Sequence, residues 1–186
     1  VGEIYTGKVV RIMNFGALEN NDVTIAAGKH MEECYINGGC KAVFREDVLP
    51  FLWKKVVVNC TVNTVCAVTR LKIGEVEADP FGQKLFHDVI RECCAIANAK
   101  GVALDADEFI RVDHQHIIDH ISDYYPSMAQ DMLWKKYRTE IDTLNGAISD
   151  YGKQFGIPTP TCDVLSTVVR CIQNNYANQY VDGTRK

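Results

Sequence analysis

The chain has 186 residues, 47% of them hydrophobic, enough to build a core without disulfides or metal ions. Its 20 basic and 24 acidic residues leave a net charge of −4 with no basic stripe, so nucleic acid is not expected as a partner. No apolar run approaches a membrane span and the N-terminus lacks a signal-peptide layout, so a soluble cytoplasmic protein with no membrane partner is expected.

Taken in chain order, the first 45 residues read as strand, helix, strand. The β-branched stretches are Val9-Val10-Arg11-Ile12 and Lys41-Ala42-Val43-Phe44, and the helix runs from about Asp22 to Tyr35 before a stop at Asn37-Gly38-Gly39. From Glu46 the pattern becomes helical, with apolar residues at three- and four-residue spacing over 47–69, 80–100, 106–124, 128–137, 140–155 and 162–180. The fold class expected is therefore mainly α: a short α/β unit over 1–45, then a helical domain over 46–186. So little sheet cannot hold a core of its own, and the start at Val1 instead of a methionine fits a piece of a longer protein, although processing would look the same.

The eight cysteines lie inside apolar periodic segments and form no C-x-x-C pair, which favours buried, reduced thiols over a disulfide framework or a zinc site. His116 and His120 are four apart, a spacing open to a metal, but no Glu completes an H-E-x-x-H arrangement and a solvated helix face is the simpler reading. No metal is expected. Gly2 to Lys8 matches most of a P-loop, yet Val9 stands where Ser or Thr should follow the lysine. Gly7 to Gly16 is similar to the opening of an S1-type RNA-binding barrel, but helices follow instead of the remaining strands.

The most informative segment is Trp53 to Val68. It is apolar enough for a core helix, yet Lys55, Asn59 and Asn63 recur at intervals of four and would form one polar line. Buried polar groups need partners, since an unpaired amide costs about 1–3 kcal/mol. Either Lys55 snorkels to solvent while the two amides bond neighbouring helices, or the line faces a ligand. The second reading has a chemical motive: a desolvated lysine is a good general acid, and amides beside it can hold a carbonyl or a carboxylate. Ser127-x-x-Gln130 and Thr139-x-x-Asp142 both have capping-box spacing, and a helix start at Ser127 would offer an anion a hydroxyl and free amides.

Taken together, the motifs W-K-K-V-V-V-N-C-x-x-N (53–63), P-S-M-x-Q-D (126–131), T-E-I-D-x-L-N-G (139–146) and G-I-P-T-P (156–160) resemble the C-terminal domain of the ketopantoate reductase (2-dehydropantoate 2-reductase) family. The first 45 residues are then similar to the end of that family's nucleotide-binding domain. The resemblance implies NADPH-dependent reduction of ketopantoate, or a related branched 2-keto acid, in pantothenate and coenzyme A biosynthesis. It implies Lys55 as the general acid, Asn59 and Asn63 as substrate hydrogen-bonders, Ser127 as the carboxylate contact and Glu140 as a cofactor contact near the nicotinamide. A homodimer through the helical domain fits the same comparison. So does the alternative of a non-catalytic helical dimerisation or binding module.

Two departures bear on the substrate: Ile73-Gly74-Glu75-Val76 replaces the family's usual Asn-Gly-Glu-Leu, and Thr64 stands where many members have proline. The chain contains no G-x-G-x-x-G turn, so by itself it is expected to bind the cofactor poorly and to be inactive.

Overall fold

A computed structural model describes residues 12–179; the P-loop-like stretch, the first half of the S1-like stretch, most of the first expected strand and the end of the last expected helix lie outside them. The chain divides into two compact units, 1–52 and 53–186.

In the first unit, strands β1 (Met13–Phe15) and β2 (Ala42–Phe44) pair in parallel with Met13 opposite Ala42. Helix α1 (Asp22–Asn37) connects them. Parallel strands require such a crossover. The described strand, Met13–Phe15, follows the expected 9–12 segment, most of which lies outside the described residues. Asn21 starts α1 by accepting from the Val23 and Thr24 amides at 3.0 Å each, and the Thr24 hydroxyl accepts from the Asn21 amide at 2.9 Å, a closed capping box. The helix lies close on the ribbon through Gly28, where a Cβ would stand 2.1 Å from the Phe44 ring.

The second unit is all helical, and its elements pack around one core. Helix α2 (Leu49–Val58) runs into a π turn (Asn59–Asn63) and on into α3 (Thr64–Thr69), so the expected helix over 47–69 is one continuous rod with a wide turn at its middle. Helix α4 (Ile73–Ala78) follows, a short element that periodicity did not reveal. Helix α5 (Pro80–Ala99) carries Phe86, Val89, Ile90, Cys93, Cys94, Ile96 and Ala97 into the core at helical spacing. Asp79 caps it by accepting from the Phe81 and Gly82 amides at 2.9 and 3.0 Å, with Pro80 in the first turn. The next rod is α6 (Ala106–Phe109), a second π turn (Ile110–His114) and α7 (Gln115–Ile121).

Helix α8 (Ser127–Gln130) continues into a third π turn (Asp131–Lys135). The last helices are α9 (Asn145–Phe155) and α10 (Pro160–Asn174). The start of α10 is satisfied from outside: the Glu92 carboxylate on α5 accepts from the Thr161 and Cys162 amides at 2.8 Å each. Among the described residues no helix is long and apolar enough to cross a membrane.

Three expectations are corrected. The helix placed over 140–155 begins only at Asn145: the Thr139 hydroxyl and amide donate to the buried Gln173 side chain, both at 3.1 Å, and Asp142 accepts from Arg170 at 2.7 Å instead of closing a capping box. Ser127 makes none either: Pro126 occupies the cap position, and Gln130 reaches back to the Tyr125 carbonyl at 2.8 Å. Of the eight cysteines, Cys60, Cys66, Cys93, Cys94 and Cys162 are buried as expected, but Cys34, Cys40 and Cys171 are exposed; all eight are free thiols. Burial, with Glu75 nearby, pushes the Cys66 thiol up to about 12, and burial with Asp105 and Asp113 pushes Cys94 up to about 11.

Candidate active site

The polar line does not lie wholly on a buried surface. Lys55 is exposed, Asn59 half-buried and Asn63 only 8% exposed, so the line descends from solvent toward the core. The π turn keeps it straight. Four residues overshoot one turn of an α-helix by about 40°, whereas in the wider π turn, with i to i+5 bonding, four residues fall short by about 30°. The α step from Lys55 to Asn59 and the π step from Asn59 to Asn63 therefore nearly cancel.

The buried side chains of this rod find partners both within it and far along the chain. Thr61 donates to its own helix at the Val57 carbonyl, 2.7 Å. Thr64 donates to Asn145 Oδ1 at 2.6 Å, and Asn145 Nδ2 donates to the Cys60 carbonyl of the π turn at 3.1 Å. Asn145 is fully buried. It belongs to the T-E-I-D-x-L-N-G motif, but spacing gave no hint that it braces a turn 85 positions away. The hydroxyl of Thr64 is what a proline there would remove.

Asn63 Nδ2 donates to Ser127 Oγ at 3.4 Å, a long bond that joins residues 64 positions apart. Because Ser127 is released from capping, its exposed hydroxyl faces this amide instead of its own helix. The structure thus brings together Asn63 and Ser127, with Asn59 and Lys55 continuing the same line outward. Glu140 sits in the exposed turn before α9, and among the described residues no hydrogen bond or ion pair engages its carboxylate or the Lys55 ammonium. The adjacent Lys54 is pinned to Asp113 of the second π turn at 2.8 Å.

Ile73 is part of the core at 1% exposure, its amide donating to the Tyr124 carbonyl at 3.3 Å. The following Gly74 approaches so closely that a Cβ would meet Ser122 Cβ at 2.8 Å. A shallow depression lined by Lys72, Gly74, Glu75, Ser122 and Asp123 opens beside it, without any of the expected site residues.

His116 and His120 are exposed, their rings 4.1 Å apart, and one His120 nitrogen is bonded to the His116 carbonyl. A different histidine is buried. His114, 3% exposed, bonds Glu77 at 2.9 Å, with His87 beside the pair. The sequence offered no periodic signal for this grouping, since its three members lie on three elements.

The fold and these motifs have counterparts among known proteins. The family model described as ketopantoate reductase PanE/ApbA C terminal matches residues 47–173. A 2-dehydropantoate 2-reductase of Streptococcus pyogenes serotype M6 is 32% identical over 163 residues, covering 86% of this chain and 51% of that protein. The 2-dehydropantoate 2-reductase of Aquifex aeolicus is 29% identical over 145 residues, covering 76% of this chain and 46% of that protein. Among solved structures, D-mandelate dehydrogenase with NADH and anilino(oxo)acetate superposes with a TM-score of 0.78 at 29% identity, covering 87% of this chain and 66% of that one. A PanE/ApbA family ketopantoate reductase from Ralstonia eutropha JMP134 gives 0.75 at 27% identity, covering 91% and 54%. The chain spans about half the length of the curated relatives it matches. A family match over more than half of the residues, with the same helical architecture, makes this chain a member of the ketopantoate reductase PanE/ApbA C-terminal family.

Proposed function

We propose that this chain is the substrate-binding half of a reductase that converts ketopantoate, or a related branched 2-keto acid, to the 2-hydroxy acid. The observation that carries the reading is the Asn63–Ser127 contact at 3.4 Å, at the inner end of a line whose outer end is an exposed lysine with no partner among the described residues. Such a line suits a small molecule with a carboxylate at one end and a ketone at the other. Ser127 donates its hydroxyl to the carboxylate, Asn63 and Asn59 donate amide N–H groups to substrate oxygens, and Lys55 protonates the ketone oxygen as it gains negative charge. In the free chain the Lys55 ammonium stands in water. Substrate and the nucleotide-binding half would exclude that water and sharpen its acidity at the moment of reaction.

A nicotinamide cofactor, NADPH in our reading, supplies the hydride. Glu140 fits only one end of it: an exposed carboxylate without a partner among the described residues can accept from a ribose hydroxyl or the carboxamide, but it repels phosphates. The phosphates need a glycine-rich turn, which the sequence lacks, so the unit over 1–45 reads as the end of a nucleotide-binding domain. The protein acts in pantothenate and coenzyme A biosynthesis, in the cytoplasm, and pairs as a homodimer through its helical domain. D-mandelate dehydrogenase, named for a different 2-hydroxy acid, shares the fold. That likeness supports a keto acid with a branched or larger apolar tail.

The test joins this chain to a complete nucleotide-binding domain and follows cofactor oxidation with ketopantoate, 2-ketoisovalerate and phenylglyoxylate, each with NADPH and with NADH. Turnover of at least one keto acid that falls when Asn63 is changed to Ala is expected. Absence of turnover with all three, in a folded protein that binds cofactor, would overturn the reading in favour of the non-catalytic module.

A further inference from the structure

Glu77 on α4, His87 on α5 and His114 at the end of the second π turn present one donor atom each, all within 4.8 Å of one another. The three side chains come from separate elements and take no part in the proposed keto-acid site. The carboxylate only accepts, so the 2.9 Å contact between His114 Nε2 and Glu77 Oε2 places the proton on the histidine nitrogen. Gln83 Nε2 donates to the other oxygen, Glu77 Oε1, at 2.8 Å, which fixes the plane of the carboxylate. His114 is buried at 3% exposure, and the Phe86 ring packs edge-on against its imidazole with centroids 5.1 Å apart. His87 stands across from it, ring centroids 6.1 Å apart and planes at 82°.

The geometry points to a divalent-cation site made by Glu77, His87 and His114, with Zn²⁺ as the ion its donors suit best. Two imidazole nitrogens and one carboxylate oxygen are the donors of three-ligand zinc sites, which leave a fourth position to water. Ligands at the usual metal distances, at tetrahedral angles, stand about 3.4 Å apart. The His114–Glu77 pair is already closer than that, and the half-buried His87 closes the remaining gap by rotating its side chain. Gln83 supplies the outer hydrogen bond that orients a metal-bound carboxylate. On binding, the ion takes the place of the proton between His114 and Glu77. That proton moves to His114 Nδ1, or to solvent if the ring was charged. The bound ion would tie α4, α5 and the second π turn together. The His114–Glu77 and Gln83–Glu77 hydrogen bonds already join the same three elements without it, so the ion is a reinforcement and not a condition of folding.

The experiment is titration of the metal-free full chain with Co²⁺ and Zn²⁺, read by cobalt d–d absorption and by thermal denaturation. Parallel variants are His87→Gln and His120→Gln. His87 is half-buried, so its variant is expected to keep the parent's circular dichroism without metal; His120 tests the exposed i, i+4 histidine pair. One ion with a cobalt spectrum lacking thiolate charge transfer is expected, and a Tm rise of about 5–10 °C at a hundredfold excess of Zn²⁺ over its Kd. His87→Gln should weaken binding at least about tenfold and His120→Gln should leave it unchanged. Parent-like affinity in His87→Gln, loss in His120→Gln, a thiolate spectrum accounting for the bound ion, or no binding at all would each overturn the assignment.

Discussion

Two rods of the helical unit share a plan, an α-helix widened at its middle by a π turn, and use it differently. In the rod over 49–69 the turn carries Asn59 and Asn63, and Asn145 braces its Cys60 carbonyl and the adjoining Thr64. In the rod over 106–121 the turn ends in His114, closed against Glu77 at 2.9 Å. The first leaves an amide facing an exposed hydroxyl at 3.4 Å, so its polar groups are only loosely engaged where a ligand can replace one of them. The second pairs its polar group tightly inside the protein. A π turn is thus a way to aim a side chain off the regular helical stripe. What the side chain meets decides whether the result is an open site or a closed one. Lys54 and Lys55 show the same contrast at adjacent positions, one tied to Asp113 and the other without a partner among the described residues.

That contrast is sharpest in kinetics. With a complete nucleotide-binding domain present, Lys55→Ala should lower kcat by about 10²–10⁴-fold, the usual worth of a general acid. Lys55→Arg should not restore it, because the guanidinium holds its proton and has a different shape. Lys54→Ala removes a half-exposed ion pair worth under about 1 kcal/mol, and kcat should change less than about twofold. Ser127→Ala should act chiefly on KM, since a carboxylate contact is present before and after the chemical step. Steady-state rates on the four variants decide it. Equal losses in the two lysine variants would dissolve the distinction drawn here.

The bracing of the first π turn is tested by Asn145→Leu. It leaves the Thr64 hydroxyl and the Cys60 carbonyl buried without their partner, and urea denaturation should show a loss of about 2–4 kcal/mol. Thr64→Val removes only the hydroxyl, leaving Asn145 Oδ1 unmet, for about 1–2 kcal/mol. In the second rod, His114→Leu should cost about 1–3 kcal/mol by leaving the Glu77 carboxylate one partner short. If Asn145→Leu proves milder than Thr64→Val, Asn145 is not the brace.

The smallest effect concerns the thiols and reports on packing alone. Cys34, Cys40 and Cys171 should react with a disulfide reagent in the native protein, while the five buried thiols, Cys60 of the first π turn among them, wait for unfolding. Raising the pH to 9 should not recruit Cys66, whose thiol is held at about 12. Fast reaction of more than three thiols would mean the core around the first turn opens easily.

The sequence by itself determined the helical class, the extent of α1 and α5, and the line Lys55, Asn59, Asn63, because each is a matter of local periodicity and spacing. Ser127 was legible as a helix-start residue open to capping or to holding an anion. The cap position goes to Pro126 one residue earlier, where fixed φ suits the entry of the chain, which leaves the Ser127 hydroxyl to accept from Asn63. Only the tertiary structure decided the rest. The first two π turns carry polar groups that meet partners elsewhere, Asn63 with Ser127 and His114 with Glu77, which spacing along one element does not encode. Asn145 against Cys60 and Thr64, Ile73 in the core, and the meeting of Glu77, His87 and His114 all depend on which helices pack together. Contacts of that kind are made by residues tens of positions apart, each unremarkable in its own segment, and become visible only when burial forces every polar group to name its partner.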